Sequence, residues 1–212
     1  MENASSLVIG FTLIPVPTSM DIRGWAEMHP LNGPGWSLFY EYIANILYAL
    51  FVRKFSKKAL SVLVFLSGLA LIHLALTSPN GDLIGGWSLD PEQLHIGFAR
   101  VMYPFFAGVL LFRIGKLIQV KNAFLLCSLL IIVVFSIPRI GGSDHLWMNG
   151  IYDSVTVILF FPLIVFLAAS GEIKGALSTR VCKFFGDISY PIYITHFPII
   201  YIYTGWVADK KI

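Results

Sequence analysis

Residues 59–77 read ALSVLVFLSGLALIHLALT, a run from Ala59 to Thr77 without one Asp, Glu, Lys or Arg. A helix rises about 1.5 Å per residue and the hydrocarbon core of a bilayer is about 30 Å thick, so roughly 20 residues cross it. Arg53, Lys54, Lys57 and Lys58 precede the run, and the turn-forming residues Ser78-Pro79-Asn80-Gly81 follow it. The stretch reads as a membrane-spanning helix. Five further apolar stretches share that character: Trp36–Val52, Ile96–Arg113, Ala123–Pro138, Ile151–Ser170 and Phe184–Val207. The first and fourth in chain order are the short ones. Buried helices of a large soluble domain are also apolar, but soluble domains average about 25% charged residues. This chain has 13% charged residues and a mean hydropathy of +0.77. The expected fold is therefore all-α, a polytopic transmembrane helical bundle of about six spans.

The basic residues sort by loop. Arg53, Lys54, Lys57 and Lys58 separate the first two stretches; Arg113, Lys116 and Lys121 separate the third and fourth; Lys174, Arg180 and Lys183 separate the fifth and sixth. The alternate connections are nearly free of positive charge: Ser78–His95 has no Lys or Arg, and Arg139–Asn149 has only Arg139. Short loops rich in Lys and Arg stay cytoplasmic, so the alternation predicts cytoplasmic basic loops and both termini outside. Lys210 and Lys211 fit that placement poorly. The net charge of +3 follows membrane edges and indicates no nucleic-acid partner. Cys127 lies within a span and Cys182 in a cytoplasmic loop, so no disulfide framework is expected.

At the amino end, Leu7–Val16 is apolar but too short to span, and Pro15 and Pro17 interrupt it. A signal peptide needs a basic leading region, and Glu2 is the only early charge. Residues 1–35 read as an extracytoplasmic loop or the remnant of a truncated helix, residues 36–207 as the bundle, and 208–212 as a short tail. A polytopic chain that opens within a loop looks truncated.

Polar residues inside such helices are costly, about 2.5–3.5 kcal/mol for a charge at mid-helix, and usually face the bundle or a wet cavity. Spacing of four places Ser37, Glu41 and Asn45 on one face of the first span, with Tyr48 close behind. Glu41 is then either a cavity-facing carboxylate or an interfacial group solvated by lipid headgroups. Arg100, one turn into the third span, is equally readable as a snorkelling cation or a functional one. The last span holds Ser189, Tyr193 and His196 at offsets of four and three. Its Pro191 and Pro198 each remove a helical hydrogen bond, and in lipid something must satisfy the freed carbonyls. His196 falls near mid-membrane, where packing and catalysis are both open to it. His73 has only apolar neighbours in sequence and reads as a packing residue. Phosphate-binding loops, nucleophile elbows, zinc-protease motifs and metal-ligand clusters are absent from the sequence. Any chemistry has to be assembled from several helices.

Two motifs carry a resemblance. Pro34-Gly35-Trp36-Ser37-Leu38-x-x-Glu41, followed later by Gly186-x-Ile188-Ser189-Tyr190-Pro191-x-Tyr193-x-x-His196, resembles the membrane acyltransferase 3 family. The resemblance covers nearly the whole chain but only the later part of the family's longer, ten-span domain. It implies an O-acyltransferase moving an acyl group, with acetyl-CoA the expected co-substrate and no tightly bound cofactor or metal, to a sugar hydroxyl of an exported or cell-surface glycan. The implied setting is the bacterial cytoplasmic (inner) membrane, with lipid, acyl-CoA donor and glycan acceptor as partners. On this reading Glu41 and His196 are catalytic, and Ser37, Asn45, Arg100, Ser189 and Tyr193 bind substrate. Family members also carry an Arg with a His eleven positions on, and no Arg in this chain has one. The family's base would then reside in a separately encoded amino-terminal half, leaving residues 1–212 inactive alone. The alternative is a non-catalytic remnant or a transporter-like component. Transporters often pair broken helices between halves, and here only the last span is broken.

Overall fold

A computed structural model describes residues 9, 12–21, 23–172 and 175–210, apart from the side chains at 176 and 177. Most of them lie in helices α1 (Gly35–Leu50), α2 (Lys57–Thr77), α3 (Pro91–Ile114), α4 (Ala123–Ser136), α5 (Leu146–Ala169) and α6 (Ala176–Lys210). Among the described residues, extended pairing is limited to one isolated bridge, Val120 with Gly171. The protein is all-helical, as its apolar pattern dictates.

Local chemistry sets the helix ends. Ser56 caps α2, its hydroxyl accepting the Ala59 N–H at 3.2 Å, and so satisfies one of the orphan donors of the first turn. Pro91 opens α3, where its missing N–H costs nothing, and Arg113 lies in its last turn, where a cation meets the negative end of the helix dipole. α4 stops at Ser136 although the apolar run continues to Pro138. Proline disfavours helical backbone at the preceding residue, and Ile137 is extended (φ −75°, ψ 120°).

Among the described residues three helices are both long and apolar enough to cross a membrane: α2 with 21 residues, α3 with 24 and α5 with 24. The other three helices differ from these in length or composition. α4 is apolar but has 14 residues. α1 has 16. α6 has 35 residues but contains Pro191 and Pro198 and is interleaved with Ser, Thr, Tyr and His. α6, which carries the second motif, is the most polar of these helices.

The chain forms two compact units. The larger comprises residues 43–85 and 98–172. Its core joins Val52, Leu60 and Phe106 in one cluster and Leu71, Tyr103 and Ala107 in another. α2 and α5 touch at backbone distance: a Cβ added to Gly150 would lie 2.3 Å from the Ala75 carbonyl oxygen. Small residues at helix crossings are the usual means of close packing where lipid supplies no hydrophobic drive. α5 contains a π-helical turn at Thr156–Phe160, and Tyr103 donates its hydroxyl proton to the Ile158 carbonyl there at 2.9 Å. Arg113 bonds three carbonyls of the α1–α2 turn, Phe55 at 2.8 Å, Val52 at 3.1 Å and Arg53 at 3.2 Å. This cation of the basic loops has a structural task. His73, expected to pack, is exposed on α2 instead. Asp82 is buried at 6% exposure and accepts from Ser78 at 3.2 Å, although it lies in a connection that reads as an open loop. Phe65, Leu66, Phe112, Phe124, Phe135 and Leu159 are all exposed. So much exposed apolar surface fits a membrane protein, since hydrocarbon solvates what water would not.

Candidate active site

The smaller unit comprises residues 1–42, 86–97 and 173–212 and contains most of the residues that the motifs single out. Its centre is Tyr40, fully buried on α1. A Cβ on Gly97 would fall 2.2 Å from the Tyr40 ring, so only glycine fits beneath it. Described residues of the segment before α1 pack into this unit. Val16 and Met28 are buried, the Val16 N–H donates to the Met28 carbonyl at 2.9 Å, and the Met28 N–H donates to the Trp87 carbonyl at 2.7 Å.

Charged side chains organise that segment. Burial works against the Asp21 carboxylate, but N–H groups of Arg23, Trp25, Glu27 and Ala26 outweigh it and hold the carboxyl below its ordinary value. Burial lifts Glu27 above its ordinary value against the pull of Arg23, which bonds it at 3.0 Å. The Arg23 guanidinium stacks on two rings, 3.9 Å from the centre of Trp25 and 3.8 Å from that of Tyr201 on α6, a cation–π arrangement. His29 is buried, and burial pushes its pKa down to about 4.

The chain enters α1 through a run of tight turns. Asn32 N–H donates to the His29 carbonyl at 3.0 Å, Gly35 N–H to Asn32 at 2.8 Å, and Ser37 N–H to Pro34 at 3.2 Å. This entry grips two consecutive residues of α6. The Asn32 side-chain amide donates to the Ile194 carbonyl at 2.9 Å. The hydroxyls of Ser37 and Tyr193 lie 2.5 Å apart, and both also reach the Pro34 carbonyl at 3.2 Å. A carbonyl only accepts, so one hydroxyl donates to Pro34 and the other donates to its hydroxyl partner.

His196 stands one turn beyond Tyr193, with ring centres 5.9 Å apart. Its Nδ1 faces the carbonyls of Tyr193 at 2.7 Å and Ile192 at 3.0 Å. Those acceptors require the proton on Nδ1, which leaves the lone pair of the neutral ring on Nε2. Such a ring can accept a proton at Nε2.

The structure brings together Ser37, Tyr193 and His196. It turns Ser189 back on its own helix, bonded to the Gly186 carbonyl at 2.8 Å and exposed. Glu41 shares the smaller unit, but its side chain is exposed, whereas Leu38, Tyr40 and Ala44 of the same helix are buried. Of the stripe, Ser37 is bonded to α6, whereas Glu41 and Asn45 lie on an exposed face. Asn45 belongs to the larger unit, as does Arg100, whose guanidinium donates to the Gly85 carbonyl. That bond ties Arg100 to the loop that precedes α3. Among the described residues no group of three His, Cys, Asp or Glu is placed to hold a metal. Sequence reasoning missed Asn32 and the Asp21–Arg23–Glu27 layer. The one available signal was Pro198, which frees the Ile194 carbonyl and so demands a donor.

Comparison with curated proteins and with solved structures gave no match. A family model described as an acyltransferase domain matches residues 3–211. That span takes in both motifs and the helices that join them through Ser37 and Tyr193, and the chain belongs to the acyltransferase 3 family.

Proposed function

We propose that this protein takes part in moving an acyl group, acetyl in the first instance, from an acyl-CoA thioester to a sugar hydroxyl of an exported or cell-surface glycan, within the bacterial cytoplasmic membrane. The observation that supports this reading best is the Ser37–Tyr193 hydroxyl pair, which joins the two sequence motifs across 156 positions. In the reaction the acceptor oxygen attacks the thioester carbonyl carbon, its proton passes to a base, and the C–S bond breaks to release CoA. A sugar hydroxyl is a weak nucleophile, so the base must lie within hydrogen-bond reach of it. On this reading the base comes from the family's amino-terminal spans, and His196 offers Nε2 as a further proton acceptor beside Tyr193. Glu41 orients the acceptor or the base from the exposed face of α1, and Tyr193 and Ser37 hold the acceptor by their hydroxyls. Exposed polar groups on helices of a membrane protein mark a wet cavity or further protein.

A second reading, a non-catalytic remnant, is favoured by one observation: no Arg in the chain is followed by His eleven positions on. One assay separates the two. Membranes holding residues 1–212 are given labelled acetyl-CoA, with and without co-expressed amino-terminal spans of the family, and label in the glycan is counted. Little transfer by residues 1–212 alone and restoration by the added spans is the expected result. In the restored protein Glu41→Ala lowers turnover at least tenfold, about 1.4 kcal/mol of transition-state stabilisation. No transfer under either condition would favour the remnant.

A further inference from the structure

We propose that Asn32 is a positioning residue that replaces the backbone donor α6 lacks at Pro198 and so fixes Tyr193 against Ser37; the inference rests on the acyl-transfer reading of that site. Proline has no N–H, so Pro198 leaves the carbonyl four residues earlier, that of Ile194, without its helical donor. Such a carbonyl is costly inside a membrane protein unless another group supplies the hydrogen. The Asn32 amide nitrogen, 2.9 Å away, supplies it from a different part of the chain. Only the amide nitrogen serves there, because the side-chain oxygen would meet another acceptor.

The position of this bond gives it consequence. Ile194 directly follows Tyr193, and Asn32 stands in the same run of turns as Pro34 and Ser37. Asn32 grips the α6 backbone at 194, while the Pro34 carbonyl and the Ser37 hydroxyl lie within hydrogen-bond distance of the Tyr193 hydroxyl. A one-residue register therefore links Pro198 to the reacting site. Were the Ile194 carbonyl to find another partner, α6 would turn or bend and carry the Tyr193 hydroxyl with it.

The test is a two-background comparison in the full chain, kept in membranes and co-expressed with the amino-terminal spans. Pro198→Ala returns an N–H to position 198 and so makes Asn32 dispensable. Asn32→Asp keeps the size of the side chain but removes the donor, which separates donation from packing. Position is read without any catalysis, by bridging Ser37→Cys to Tyr193→Cys with a short bifunctional methanethiosulfonate after Cys127→Ala and Cys182→Ala. With the hydroxyl pair itself removed, the bridging yield reports what the Asn32 bond contributes to the register. Asn32→Ala and Asn32→Asp should each cut bridging at least fivefold in the parent and less than twofold with Pro198→Ala present. In the protein with Ser37 and Tyr193 intact, the same two variants should lower kcat at least tenfold while KM for the donor stays within twofold.

Equal losses in both backgrounds, or bridging unchanged by Asn32→Ala and Asn32→Asp, would overturn the proposal. If the bridging pattern appears while no variant, nor the parent, transfers acetyl, the positioning role stands and the acyl-transfer reading falls.

Discussion

Tyr193 on α6 and Ser37 on α1 share a hydrogen bond of 2.5 Å, with the Pro34 carbonyl as common acceptor for the pair. Neither hydroxyl is held by its own helix alone. Residues in one hydrogen-bond network couple energetically, typically by 0.5–3 kcal/mol. Ser37→Ala and Tyr193→Phe should therefore be non-additive: each lowers acetyl transfer by the co-expressed protein, and the double variant is little worse than the poorer single one. A coupling of about 1 kcal/mol is expected. Strictly additive losses would show that the two hydroxyls act separately.

The buried His29 makes the layer before α1 sensitive to acid. Its pKa in the folded chain is about 4, against 6.5 for an ordinary histidine, because burial disfavours the charged ring. Between those values the opened chain binds a proton that the folded one refuses, so stability is full above pH 6.5 and declines as pH falls toward 4. The largest loss is roughly 3 kcal/mol. Hydrogen exchange at the Val16 and Met28 amides, corrected for intrinsic rate, should accelerate over that window. His29→Phe should flatten the dependence; an unchanged pH profile in that variant would assign the effect to another group.

Arg113 binds three backbone carbonyls at once. Its planar fork of donors suits that task, and a lysine ammonium does not reproduce it. Arg113→Lys should lower the thermal stability of the detergent-solubilised protein nearly as much as Arg113→Met. The expected cost is about 1.5–3 kcal/mol, the range for hydrogen bonds to a charged group. Full rescue by lysine would mean that only the charge matters.

The alternation of basic loops gives a labelling pattern. Asn80 and Lys57 are both exposed and lie at opposite ends of α2. A membrane-impermeant maleimide added outside should modify Asn80→Cys and spare Lys57→Cys until the membrane is opened. Asp82, in the same connection as Asn80, is a poor reporter because it is buried. The reverse pattern would invert the orientation.

The helical, membrane-embedded character of the chain was legible in the sequence because it depends on local quantities. Runs such as Ala59–Thr77 fix both conformation and solvent, since backbone groups in hydrocarbon must be satisfied within the helix. The motif residues on α1 and α6 were visible for the same reason: a polar side chain in an apolar helix costs enough to stand out. Whether Ser37, Glu41 and Asn45 act together was not legible, because helical spacing says which residues share a face but not what that face meets. The structure bonds Ser37 to Tyr193 and leaves Glu41 and Asn45 on an exposed surface.

Asn32 marks the division most clearly. In the sequence it is one more small polar residue beside Gly33 and Pro34, the composition of any turn. Pro198 announces by itself that the Ile194 carbonyl loses its donor, since the proline ring has no hydrogen to give. Which side chain replaces that donor depends on where a segment 162 positions away comes to rest. Hydrophobic pattern and backbone chemistry are properties of neighbours in sequence, so the chain alone determined the helices and the need for a donor. Closing a contact over such a distance depends on all the packing between, and only the tertiary structure decided that Asn32 fills it.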